Sequence, residues 1–152
     1  MIIVGISAFY HDSAVCVIEN GEILFAAEEE RFSRIKHDSE FPDLALEAAL
    51  SHCHLKKSDI DLVAFYDKPI LKFDRLLESY LTDVPFGFSS FKKAIPVWVK
   101  KKLWIKSLIQ DKIGHPVEII FTEHHESHAG SAFYPSPFDS AAFLTIDGVG
   151  EW

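Results

Sequence analysis

The chain has 152 residues, 48% of them hydrophobic and 25% charged, with a formal net charge of −8. That composition supports one domain with a core and excludes a disordered chain. The negative balance argues against a nucleic-acid-binding surface as the main function, because no global positive field attracts phosphates, although a local anion pocket stays compatible with it.

From the start of the chain, residues 2–9 (IIVGISAF) and 13–20 (SAVCVIEN) read as β-branched strands separated by Tyr10, His11 and Asp12. Asn20-Gly21 predicts a two-residue type I′ turn, which needs positive φ at both positions. It leads into EILFAAEEE, so residues 2 to about 27 are expected to form a three-strand antiparallel meander. The stretch 28–40 (EEERFSRIKHDSE) has neither helical nor strand periodicity. Its usual reading is a solvated charge run; the sharper one is an anion-binding loop using Arg31, Arg34, Lys36 and His37. Pro42 then opens a helix over 43–53, with apolar positions 46, 49, 50 and 53 on one face.

Residues 60–67 (IDLVAFYD) return as a buried strand, and 70–82 show helical spacing through Phe73, Leu77 and Leu81. After Pro85 and Gly87, a helical region over 89–113 is expected to be kinked or split by Pro96. Its lysines, interleaved with Trp98 and Trp104, read as the solvated side of an amphipathic helix rather than a nucleic-acid contact. VEIIFTE (117–123) and SAAFLTIDG (140–148) are the last two expected strands. The order β-β-β-α-β-α-β-α-β predicts an α/β fold with a mixed sheet, by analogy the arrangement of an actin-like ATPase lobe. The final IDGVGEW stops at the mouth of a loop after a strand, which suggests a piece of a larger enzyme. Met1 runs directly into apolar residues without a basic leader, and no apolar run approaches the roughly 20 residues of a membrane-spanning helix. Cys16 and Cys53 are too few for a disulfide framework, so reduced thiols in a cytoplasmic protein are expected.

The stretch FTEHHESHAGSAFY holds the chemistry-bearing cluster. His124 and His128 are four apart, so a helix starting near His124 puts both imidazoles on one face, a spacing that suits shared metal ligation. The bland alternative is a polar helix start with solvated histidines. His125 is expected to face away, and Ala129 to Ala132 to let the helix pack closely on the sheet. Asp147 ends the last expected strand and completes a metal site on this reading, or holds magnesium. Gly148 and Gly150 permit close approach of a phosphate. The alternative for that stretch is a tight turn with a capping aspartate. His11 and Asp12 occupy the first hairpin, as a phosphate-facing turn or merely a solvated one.

Four stretches, ISAFYHDSAVCVIENGEI, AAEEERFSRIKHD, HHESHAGSAFYPSPF and LTIDGVGEW, closely resemble the N-terminal part of the carbamoyltransferase family, which includes nodulation-factor and antibiotic-tailoring O-carbamoyltransferases. Gly130 stands where that pattern has alanine. The resemblance implies an actin-like (ribonuclease H-like) domain, of which residues 1–152 are the N-terminal lobe, joined to a smaller carbamoyl-phosphate-processing domain. It implies that carbamate from carbamoyl phosphate is activated by ATP as carbamoyl adenylate and passed to a hydroxyl of a small-molecule acceptor. It maps an iron-type metal site onto His124, His128 and Asp147, with a further aspartate ligand beyond Trp152. Asp12, Gly148 and Gly150 are expected at the nucleotide from their places in the hairpin and after the last expected strand, while the resemblance places His11 and Lys36 near the carbamoyl group and acceptor. There His11 suits a general base and Lys36 charge stabilisation on the carbamoyl oxygen. No nucleic acid or membrane is expected as a partner. The competing readings are threonylcarbamoyl transfer to tRNA, which shares the histidine pair, and a non-enzymatic nucleotide-binding lobe of actin type.

Overall fold

A computed structural model describes residues 1–82, 92, 95, 96 and 104–147. Five strands form one mixed sheet: β1 (Ile2–Ser7), β2 (Ala14–Glu19), β3 (Glu22–Glu28), β4 (Leu62–Phe65) and β5 (Glu118–Phe121), in the spatial order β3-β2-β1-β4-β5. The first three strands are the expected antiparallel meander. Asn20 and Gly21 take φ of 51° and 95°, as the turn between β2 and β3 requires. β4 and β5 then add parallel to β1, with Ile3 opposite Leu62 and Leu62 opposite Glu118.

The period-two alternation of the strands builds the core. Val4, Ile6, Val15, Val17, Val63 and Phe65 are buried and belong to one apolar cluster. Helix α2 (Asp43–His52) adds Ala45, Leu46, Ala49 and Leu50, and helix α4 (Ile105–Ile113) adds Ile105, Ile109 and Ile113 at four-residue spacing. Gly114, at φ 86°, closes α4 in the left-handed conformation that favours glycine. Between them lie α3 (Pro69–Thr82) and a short 3-10 turn, Lys57–Asp59. A last helix, α5 (His124–Phe133), follows β5. Among the described residues no helix is long and apolar enough to cross a membrane. Lys92, Ile95 and Pro96 are helical. The kink expected at Pro96 and the face carrying Trp98 fall outside the described residues.

Three expectations need correcting. Residues 140–147 are not a strand, and Phe143, Leu144 and Ile146 are 68%, 84% and 84% exposed. A β-prone composition becomes a strand only with a ladder partner and a face to bury, and this segment has neither among the described residues. Helix α5 has no buried residue, so the small residues Ala129 to Ala132 do not serve close packing on the sheet. The stretch 28–40 is not simply a solvated charge run. After the single turn α1 (Glu30–Ser33) it is tied to the β1–β2 loop by Phe9 N–H to Ser39 O (2.8 Å), Ser13 N–H to Asp38 O (2.8 Å) and Ser13 Oγ to Glu40 O (2.6 Å). Glu29 is only 4% exposed, and its carboxylate accepts the amides of Leu44 (3.1 Å) and Ala45 (2.7 Å) at the start of α2. It is a helix cap supplied from outside the helix.

Candidate metal centre and its surrounding loops

Because β1, β4 and β5 run parallel, their carboxyl ends open on one edge of the sheet, where α/β folds place ligands. Three loops emerge there: residues 8–13 after β1, 66–68 after β4, and 122–123 after β5. A small cavity of about 20 Å³ touched by Ala8, Phe9, Tyr66 and Asp67 shows that the first two are adjacent.

The third loop turns directly into α5. Thr122 N–H continues the ladder to Phe65 O (3.1 Å), and Ser127 Oγ donates to Tyr66 O (2.9 Å), fixing the first turn of the helix to β4. Glu123 and Glu126 form a reciprocal capping box over that turn. The histidines are then placed by helical period. His124 Nε2 and His128 Nε2 lie 3.2 Å apart, with rings nearly perpendicular at 85°. Asp147 Oδ2 is 2.6 Å from the first and 3.7 Å from the second. His124 rests edge-on against the Tyr66 ring, 5.6 Å between centroids. His124 is largely buried and His128 half-exposed.

These three potential ligand atoms all lie within 4.8 Å of one another. Two neutral imidazoles have at most one Nε2 proton each, so hydrogen bonding alone satisfies this meeting poorly, whereas a cation takes all three as ligands. The donor set of two nitrogens and one carboxylate fits a divalent transition metal. His124 Nδ1 is buried without a hydrogen-bond partner among the described residues, so the outer partner that usually orients a metal-bound imidazole is not supplied there.

His125 does not face away. Its Nε2 lies 3.9 Å from Asp147 Oδ2 and is buried without a hydrogen bond. At the first turn of a helix nothing precedes the ring on its N-terminal side, so a residue 100° around the axis still reaches a carboxylate approaching from that end.

The β1–β2 loop carries a second cluster. Asp12, at φ 52°, accepts hydrogen bonds from His11 Nδ1 (2.8 Å) and His37 Nδ1 (2.7 Å), one on each oxygen. The His37 bond, then the His11 bond, hold the Asp12 carboxyl below its ordinary value. Glu30 Oε2 accepts the His37 amide at 3.1 Å, which anchors the loop from the other side. Lys36, beside His37 in the 28–40 segment, is exposed. His37, expected from the sequence only as one cation of an anion-binding loop, is instead engaged with the Asp12 carboxylate. Gly148 and Gly150 lie outside the described residues.

Sequence reasoning also missed a cationic cavity beside the candidate metal ligands. About 150 Å³ in size, it is lined by Asp67, Lys68, Lys72, Arg75, Glu123 and His125, among others. Lys72 and Arg75 are three apart on α3, so the helical spacing that placed them together was readable.

The sequence of the chain, compared with known proteins, matches the model for the carbamoyltransferase N-terminus over residues 2–152. The chain belongs to the carbamoyltransferase family. An uncharacterized protein of Synechocystis sp. is 44% identical over 99% of this chain and 26% of its own length. The nodulation protein NolNO of Sinorhizobium fredii is 34% identical over 96% of this chain and 21% of its own length. An uncharacterized protein of Methanocaldococcus jannaschii is 28% identical over 99% of this chain and 31% of its own length. The chain thus spans about a quarter of the length of the curated relatives it matches. This family membership bears out the resemblance read from the FYHDSA and HHESHAG stretches.

Proposed function

We propose that the chain is the N-terminal lobe of an actin-like domain in an ATP-dependent O-carbamoyltransferase. The observation that most supports this reading is the meeting of His124, His128 and Asp147 at the carboxyl edge of the sheet, in a chain of the carbamoyltransferase family. The reaction is the one the resemblance implies. Water hydrolyses carbamoyl phosphate to carbamate and phosphate, and a carbamate oxygen then attacks the α-phosphorus of ATP, forming carbamoyl adenylate and releasing pyrophosphate. The acceptor hydroxyl then attacks the carbamoyl carbon and AMP leaves.

His124, His128 and Asp147 are the residues that would hold a divalent cation, iron by family resemblance or else magnesium, and when bound it supplies charge neutralisation and Lewis acidity. His11 is suited to take the acceptor proton at Nε2, because its Nδ1 is engaged by Asp12. Asp12 has both oxygens occupied by imidazoles, so we assign it the positioning of His11 and His37 rather than direct contact with nucleotide phosphates. Lys36 neutralises charge developing on the carbamoyl oxygen. Gly148 and Gly150 give the phosphates backbone access. The partners are carbamoyl phosphate, ATP and a hydroxyl-bearing small molecule, in the cytoplasm, where reduced Cys16 and Cys53 are at home. The net charge of −8 speaks against tRNA as the acceptor.

The test uses the full-length protein. Pyrophosphate release should require carbamoyl phosphate and ATP together. His124→Ala should lose bound metal and carbamoyl transfer in parallel, while His125→Ala keeps the metal. Metal-replete protein that releases no pyrophosphate with both substrates overturns the reading.

A further inference from the structure

The cavity between α3 and the start of α5 has a charge account that does not close. Lys68 Nζ donates to Glu123 Oε1 at 2.9 Å, and Lys72 Nζ donates to Asp67 Oδ2 at 2.7 Å. Both carboxylates on the wall are therefore matched. Arg75, half-buried on the same wall, is left over: its guanidinium makes no hydrogen bond or ion pair among the described residues.

A second polar group is left over too. His125 Nε2 is buried and makes no hydrogen bond among the described residues, with Asp147 Oδ2 no nearer than 3.9 Å, and His125 lines the same cavity. Buried polar atoms are seldom left unpaired, so such an atom beside a free guanidinium marks a place for an acceptor. The positive end of the ten-residue helix α5 opens alongside. A cavity of about 150 Å³ is too small for a whole nucleotide, since pockets that bury drug-sized ligands run to roughly 300–1,000 Å³. It suits a small polyatomic anion.

We infer that this cavity is a subsite for one phosphoryl group, held by the Arg75 fork and by His125 as its Nε2–H tautomer, next to His124, His128 and Asp147. Arginine presents paired donors that match two oxygens of a phosphoryl group, which a point charge such as lysine does not reproduce. Lys68 and Lys72, each paired to a carboxylate, shape the wall. The assignment rests on the carbamoyltransferase reading only for the carrier of the phosphoryl group, which could be the triphosphate tail or free pyrophosphate or phosphate.

The experiment is calorimetric titration of the full-length, metal-replete protein with inorganic phosphate, pyrophosphate and ATP separately. Arg75→Ala should weaken binding by about 10- to 100-fold, the loss typical of a charge-assisted hydrogen-bonding partner. Arg75→Lys should recover part of the loss, and His125→Ala should weaken binding by a smaller factor, with metal content unchanged in all three. Weakening for all three anions assigns a general phosphoryl subsite; weakening confined to ATP assigns the triphosphate tail. Should Arg75→Ala fold poorly, Arg75→Lys carries the test, with weaker binding of at least one anion as the supporting result. Affinities within twofold of wild type for every anion, in Arg75→Lys and His125→Ala alike, overturn the inference. Neither carbamoyl phosphate nor an acceptor is present, so a failure of carbamoyl transfer is read separately and leaves this result standing.

Discussion

Removing the Glu29 carboxylate should open α2 locally without disturbing the rest of the sheet. Two helix-start amides, those of Leu44 and Ala45, donate to its two oxygens at 3.1 and 2.7 Å, in a position only 4% exposed. Glu29→Ala leaves both amides without their acceptor and removes a negative charge from the positive end of the helix. Loss of a cap costs about 0.5–2 kcal/mol, and loss of charge interaction with the dipole about 0.3–1 kcal/mol. Together with the poor access of water to replace the carboxylate, the expected cost is about 2–3 kcal/mol. At 1.4 kcal/mol per factor of ten, amide exchange through local opening should accelerate about 30- to 140-fold. Hydrogen exchange read by mass spectrometry on the full-length protein resolves the peptide covering Asp43–His52 from the strands. Glu29→Gln keeps one acceptor and should show roughly half the effect in free energy. Protection of α2 within threefold of wild type in Glu29→Ala would refute the reasoning, and Glu29 would then be a passive buried acid.

His11→Ala should lower carbamoyl transfer by about 10²- to 10⁴-fold, as for a lost general base, and Lys36→Ala should also reduce it, with ATP affinity nearly unchanged in both; an unaltered transfer rate removes the residue from the mechanism. The carboxyl of Asp12 should titrate below its ordinary 3.8 by NMR, and His37→Gln should move it back up. Because that value is depressed in the folded chain, the stabilising pairing is complete above about 3.8 and is lost as pH falls through the lowered value, so a transition at or above 3.8 contradicts the pairing. Gly130→Ala should raise the thermal midpoint, since a Cβ there meets nothing closer than the Tyr134 ring at 3.6 Å and alanine favours a helix interior over glycine by about 1 kcal/mol.

The parts of this fold that were legible are those governed by local period. The meander follows from alternation in residues 2–27 and from Asn20-Gly21, and the His124–His128 pair follows from a four-residue step. What was illegible depends on contacts distant in sequence. Glu29 looks like its neighbours Glu28 and Glu30, and only the arrival of the α2 amides distinguishes it. Asp147 does reach the histidines, though not from the strand that composition suggested, because a strand requires a partner that composition cannot name. His125 defeated a rule that treats each side chain as a radial spoke and ignores how open the first helical turn is. Lys72 and Arg75 had readable spacing, but nothing in α3 itself shows that the start of α5 forms the facing wall.

The parallel pairing of β1 with β4 and of β4 with β5 also governs when the site can exist. Ile3 must find Leu62, and Leu62 must find Glu118, before the three loops share an edge. Each step closes a long stretch of chain and bears its loop entropy before any contact rewards it, so such sheets form slowly. The meander can pair early from neighbouring residues, but the histidine pair gains its surroundings only with the last strand. The edge that carries the histidine pair is therefore a late product of folding of this sheet, and substitutions that slow β4 or β5 docking should delay its assembly even where the finished protein is equally stable.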